Sequence, residues 1–436
     1  MTSIESLVSL VAALRGGEIS ATDYCEALLS RARAWEPRIH AFAALDEARA
    51  IGLAQMCDGW AAPGSAPAAL RGVPVGVKDI IDTADLPTEI GSPIFLGRRP
   101  ERDAQAVQRL IAAGAYTFGK TVSTEFAYMQ ASPTRNPWST AHTPGGSSSG
   151  SAAAVAAGVL PAAIGTQTNG SVVRPAAFCG VVGFKPTYDL ISSAGVFPFS
   201  HTLDTLGVFT RSVADAALLA SVLCDGEPIA AIPGMRTTPP RIGVIRSYPW
   251  NAVEPAAGAS FDATLDRLAG AGASVREVTL PPAFSEARDA HRTIMLYEAA
   301  ALHGALRACD GAKMSAVLRD GLDEGRRISA SAYGAAIAMR AALAERAADL
   351  FEGLDAIASP PAPGAAPRDL AVTGDPSFCT LWSLTGFPAI TVPSALDASG
   401  MPLGLQLAAP AAMDDQLLGV AAWCEAVIGF NHRPSL

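Results

Sequence analysis

A chain of 436 residues, half of them hydrophobic and 17% charged, carries enough apolar mass for one large buried core or two smaller ones. Its net charge of −9 argues against nucleic acid or an anionic membrane as the main partner. The seven cysteines are scattered, odd in number and free of CxxC spacing, which argues against a disulfide frame or zinc site and suits the reduced thiols of a cytoplasmic protein.

The N-terminus, MTSIESLVSL, carries acid rather than base, unlike a signal peptide. Residues 4–56 read as helices packed on a core. Ser20 opens the capping pattern S-A-T-D before a helix over 24–34, and Leu28, Leu29 and Ala32 share one of its faces. Residues 72–78, GVPVGVK, predict a buried strand that ends at Lys78. An unpaired buried ammonium is expensive, so such a lysine either snorkels to solvent or does chemistry. Neighbouring strand residues face opposite sides, so Asp79 need not be its partner. Residues 104–121 and 262–280 share one grammar of amphipathic helix, AGA stop and strand, which is the alternation of an α/β fold.

Residues 144–187 read PGGSSSGSAAAVAAGVLPAAIGTQTNGSVVRPAAFCGVVGFKPT. Two Gly/Ser-rich turns, 145–151 and 168–171, bracket an apolar helix predicted over 152–160. Ser148 or Ser149 is positioned to cap it and Pro161 to end it. That apolar run is too short to span a bilayer. Residues 162–166 predict a short buried strand feeding the second turn, whose consecutive N–H groups can form an anion-binding nest. Further along, the pattern predicts a Pro-rich surface connection over 232–240, a strand at 242–246 and helices across 285–352. A strand then runs into the Pro-rich loop of 354–367, followed by strands near 389–392 and 404–408 and a helix over 415–426.

The pairing of GGSSSGS with GTQTNGSVVRPAAFCGVVGFKPT resembles the signature stretch of the amidase signature family, serine hydrolases that cleave carboxamides with a Ser–Ser–Lys triad. LRGVPVGVKDIID (70–82), RNPWSTAHTPGG (135–146), LDTLGVFTRSVADAALL (203–219) and TGFPAITVPSALDASGMPLGLQL (385–407) extend the resemblance in the family's order. It thins over 225–375. The resemblance implies one large α/β domain, a mixed central sheet covered by helices on both faces. Within it, 1–60 would form a helical layer, 70–220 the signature core, 225–375 a substrate-shaping region and 376–436 the closing segment. It implies Ser171 as nucleophile, Ser147 as the intermediate serine 24 residues before it, Lys78 as terminal base, and a cis bond between Gly146 and Ser147. The N–H groups of Thr168, Asn169, Gly170 and Ser171 would form the oxyanion hole. Gly146, Ser148, Gln167 and Arg174 would support it, and residues 126–131 (FAYMQA) would line the site.

Those residue types suit the chemistry. An amide is a poor electrophile with a poor leaving group, so it needs a nucleophile, a base that later acts as acid, and donors for the oxyanion. A free lysine titrates near ~10.4, and burial lowers that value. The expected partner is a small-molecule amide, without cofactor or metal, without nucleic acid or membrane, and with a homodimer as the self-association allowed. The alternative is an amidase-like subunit of a tRNA-dependent amidotransferase that passes ammonia to a partner.

Three positions depart from the family pattern. Gln167 stands where Asp is usual, and Asn169 where Gly is usual, though Asn tolerates φ > 0. Val173 holds the usual Arg place, with Arg174 one residue later. Two other readings remain. Gly146–Gly150 satisfies G-x-S-x-G, an α/β-hydrolase elbow with Ser148 as nucleophile, but no strand pattern precedes it and no histidine stands in a recognisable setting. The same segment reads as a phosphate-cradling loop, which leaves Lys78 and the second turn unexplained.

Overall fold

The apolar runs of this chain become strands of a single sheet. The computed structural model describes residues 6–59, 68–225, 229, 230, 236 and 238–435. Among these, eleven strands pair side by side. In chain order they are β1 (Phe42–Ala44), β2 (Pro74–Lys78), β3 (Tyr116–Thr121), β4 (Ala162–Gln167), β5 (Val182–Lys185), β6 (Thr205–Thr210), β7 (Arg241–Val244), β8 (Ser274–Glu277), β9 (Ala356–Ser359), β10 (Ala389–Leu396) and β11 (Pro402–Ala408). Across the sheet they run β1-β3-β2-β4-β6-β5-β10-β11-β9-β7-β8. β3, β2 and β4 are mutually parallel, and β4 meets β6 antiparallel.

Every residue of β2, β3, β4, β5 and β6 is buried. Side chains alternate between the faces of a strand, so both faces of this sheet must be covered, and helices flank it. This is the single α/β domain with a mixed sheet that the resemblance implies.

The helix predicted over 152–160 is displaced. It spans Ser149–Ala156 and stops before Gly158, whose φ of 70° a glycine tolerates without strain, so the chain has left the helix before Pro161. Neither candidate serine caps it. The Ser148 hydroxyl donates to the Thr166 carbonyl at 3.1 Å, and the Ser149 hydroxyl to that of Gly145 at 2.8 Å. Gly150 has a packing reason: a Cβ there would come within 2.2 Å of the Ala41 oxygen and 2.3 Å of the Val122 nitrogen.

The N-terminal helices are Leu7–Gly16, Ala21–Ile39 and Glu47–Gly59. Ser20 caps the second as its pattern predicts, accepting from the Asp23 N–H at 2.9 Å. Residues 285–352 form three helices, Ala287–Asp310, Ala316–Gly325 and Ala330–Asp349. Strands β1, β5 and β6 go beyond what the pattern predicts, β1 interrupting the residues 4–56 that read as helices alone. The Pro-rich connection over 232–240 and the N-terminal tip lie largely outside the described residues. Among the described residues no helix is long and apolar enough to cross a membrane, and all seven cysteines are free.

Candidate active site

Lys78 is the last residue of β2 and is completely buried. Its Nζ donates to the Ser147 Oγ at 2.7 Å and to the Thr166 Oγ1 at 2.8 Å. The snorkelling alternative therefore fails. Burial disfavours the ammonium and pushes Lys78 down to about 7, with the charge of Asp204 pulling the other way. Asp79 turns elsewhere: it accepts the N–H of Glu89 and lies 4.0 Å from Lys120. Two other lysines are as deeply buried. Lys120 donates to the Ile81 carbonyl and the Thr88 hydroxyl, and Lys185 to the Pro186 carbonyl. Burial alone therefore does not single out Lys78; its serine partner does.

The first Gly/Ser turn is buried throughout, from Gly145 to Ser151. The Gly146–Ser147 bond is cis. Arg174 reaches across from the helix Val173–Cys179, donating from Nη2 to the Gly146 carbonyl at 2.7 Å and from Nη1 to that of Gly374. Despite its shifted place in the sequence, it braces the turn that carries Ser147. Its Nε is buried with no hydrogen-bond partner among the described residues. Burial also holds Arg174 down at about 10. Ser148 is spent on the backbone of Thr166, which removes it as an elbow nucleophile. A strand does not precede it; residues 136–139 form an isolated bridge. The Ser148 and Ser149 hydroxyls of this loop are bonded to backbone carbonyls rather than presented to a phosphate.

β4 delivers the second turn, and Gln167 organises it. Its Oε1 accepts the N–H groups of Val172 at 2.8 Å and Val173 at 3.0 Å, and its Nε2 donates to the Ser383 hydroxyl at 3.0 Å. An aspartate could accept those two N–H groups but could not donate to Ser383. Asn169 is not in the left-handed region, so the turn has no need of glycine there. Its side-chain oxygen accepts from the Thr380 hydroxyl at 2.9 Å, and its carbonyl from Ser383. Asp204 holds the Thr168 hydroxyl at 2.5 Å and also accepts the N–H groups of Phe199 and Ser200.

Ser171, Thr168, Asn169 and Gly170 open together onto one pocket with Arg174. Ala127, Tyr128 and Met129, from the segment expected to line the site, form part of its wall with Phe199 and Met295. The candidate residues thus gather on two turns pinned to the end of β4, with Lys78 on the neighbouring strand. Thr166, Asp204 and Ser383 belong to the site without having been singled out from sequence. Asp204 lies inside the LDTLG segment; Ser383 lies on a helix whose only signal is apolar.

The comparisons with known proteins agree with this geometry. The family model described as Amidase matches residues 23–418. One subunit of the glutamyl-tRNA(Gln) amidotransferase of Salinispora arenicola (strain CNS-205) is 36% identical over an alignment of 493 positions that covers all of both chains. A solved structure described as an amidase superposes with a TM-score of 0.88 at 32% identity, covering 97% of this chain and 99% of its own. The native peptide amidase from Stenotrophomonas maltophilia does so with a TM-score of 0.85 at 30% identity, covering 99% and 98%. These relatives correct one expectation. A small-molecule amide as partner, with no nucleic acid and a possible homodimer, does not fit curated relatives named as one subunit of an enzyme for a tRNA-linked substrate. Net charge misled because it reports the whole surface, whereas one subunit can leave nucleic-acid contacts to its partners. Matched by the family model from residue 23 to residue 418, the chain belongs to the amidase family, hydrolases of carbon–nitrogen bonds.

Proposed function

We propose that this chain cleaves a carboxamide through an acyl-enzyme on Ser171, as the amide-hydrolysing subunit of a tRNA-dependent amidotransferase. The observation that carries the chemistry is the 2.7 Å contact between a wholly buried Lys78 and Ser147. A lysine held near 7 is neutral in a large fraction at physiological pH and can accept a proton. The subunit role is supported by full-length similarity to curated proteins named as one subunit of such an enzyme. The cytoplasm is the proposed compartment, in keeping with seven free thiols.

In this reading Ser171 Oγ attacks the amide carbon. Its proton moves to Ser147 Oγ, whose own proton moves to neutral Lys78. The carbonyl oxygen becomes an oxyanion facing the turn of Thr168, Asn169, Gly170 and Ser171. Collapse breaks the C–N bond as the Lys78 ammonium returns the proton through Ser147 to the leaving nitrogen. A primary amide thus releases ammonia and leaves an ester on Ser171. Water then attacks that ester, its proton entering the same relay, and a carboxylic acid leaves.

The test is ammonia release from a panel of aliphatic, aryl and ureido amides, measured on the purified chain and on the chain co-expressed with its partner subunits. The reading predicts slow release by the chain alone and at least tenfold faster release in the assembly. Full-rate release by the isolated chain, unchanged by partners, would sink the subunit role and leave the relay standing.

A further inference from the structure

The helix Ala287–Asp310 lies in the region where the family resemblance thins, yet it reaches the second turn. His291, near the start of this helix, is buried, and its Nε2 lies 3.0 Å from the Thr168 carbonyl oxygen. A carbonyl only accepts, so Nε2 carries the proton and donates it. Burial pushes His291 down to about 4, which keeps the ring neutral at any ordinary working pH.

The consequence follows from peptide geometry. In a planar trans peptide unit the C=O of one residue and the N–H of the next point in opposite directions. Pulling the Thr168 carbonyl toward His291 therefore turns the Asn169 N–H the other way. Ser383 does the same one unit on, holding the Asn169 carbonyl and turning the Gly170 N–H. The Gly170 carbonyl accepts the Arg174 N–H at 3.0 Å, which turns that of Ser171. Three successive carbonyls are thus held, and among the described residues no acceptor bonds the N–H groups of Asn169, Gly170 or Ser171. The Thr168 side chain is separately held by Asp204, so the His291 bond is what fixes this residue's backbone oxygen.

We infer that His291 is a positioning residue of the oxyanion turn, holding the Thr168 carbonyl so that the Asn169 N–H is aimed at the developing oxyanion. This rests on the acyl-enzyme reading above. It gives the otherwise weakly matching helical region a direct hand in catalysis, separate from any role in shaping the acyl pocket.

The test compares His291→Leu and His291→Gln with wild type. The readouts are the second-order rate of labelling by a fluorophosphonate, kcat and KM on the best amide of the panel, and Tm. Leucine removes the donor. Glutamine restores an N–H that cannot titrate. His291→Leu should lose about 10- to 100-fold in kcat and in labelling rate, with KM changed less than about threefold. His291→Gln should recover to within about fivefold of wild type. Equal losses in both variants, or a His291→Leu protein as active as wild type, would overturn the inference. Should His291→Leu fail to fold, ¹⁵N NMR of wild type decides: the proton must reside on Nε2, and the ring must stay neutral at pH 5. A proton on Nδ1 would overturn it. Full activity in Ser171→Ala would instead remove the acyl-enzyme reading, and this inference with it.

Discussion

Lys78 Nζ donates to Ser147 Oγ at 2.7 Å from inside a fully buried strand, and among the described residues no carboxylate forms an ion pair with it. A lysine so placed is costly in its charged form and useful in its neutral one.

The first prediction is a pH profile. In the proposed relay Lys78 can act as a base only when deprotonated, and burial brings it to about 7. kcat/KM should therefore rise with pH through an acid limb centred near 7, falling tenfold per unit below it. A flat profile from pH 5 to 8 on an active enzyme would contradict it.

Stability should respond to the same group through a different comparison. In the folded state Lys78 titrates below its unfolded value of 10.5, so between about 7 and 10.5 the unfolded chain binds more protons. The penalty of burying this lysine is accordingly largest below about 7 and relaxes as pH rises toward 10.5. Lys78→Met should abolish turnover yet melt higher than wild type at pH 7. The gain should be about 1–3 kcal/mol, part of the relief being offset by the hydroxyls of Ser147 and Thr166 losing their donor. Calorimetry at pH 7 would refute this if the variant melted well below wild type.

Asp204 supplies the opposing charge at Lys78, so its removal should move the acid limb. Asp204→Asn takes away a negative charge that favours the ammonium, and the limb should shift to lower pH. The maximal rate should change little, because the Asn oxygen can keep accepting the N–H groups of Phe199 and Ser200 while its N–H₂ donates to the Thr168 hydroxyl. A shift to higher pH would show that the charge acts on another group.

Gly150→Ala offers a check on why the Gly/Ser turn has its composition. Two backbone atoms of separate segments, Ala41 and Val122, occupy the space a methyl would take. The variant should lose about 3 kcal/mol or more, as backbone cannot yield like a side-chain tip. Denaturant unfolding within about 0.5 kcal/mol of wild type would contradict the packing argument.

Much of this architecture was legible because local signals coincided with global ones. The β-branched run at 73–77 became the buried β2, and the A-G-A stops fell between helices and strands as their pattern predicts. The helix boundary at 149–156 was not legible, because serines that resemble caps hydrogen-bond instead to a strand and a loop. Asp204 and Ser383 were hidden for a related reason. Each holds the second Gly/Ser turn from a segment distant in sequence, and no local spacing encodes such a contact. The partner expectation failed because whole-chain charge carries no information about which surface a neighbouring subunit covers.

The proposed chemistry stands or falls on which serine is the nucleophile. A fluorophosphonate probe, followed by mass mapping of the labelled peptide, reads this directly in wild type, Ser147→Ala and Ser171→Ala. The prediction is one adduct on Ser171 in wild type, slower labelling of the same residue in Ser147→Ala, and neither adduct nor amide turnover in a folded Ser171→Ala. If the three residues act as the one relay proposed, Lys78→Ala combined with Ser147→Ala should be no worse than the more damaged single variant. An adduct on Ser148, or full turnover in Ser171→Ala, would contradict it.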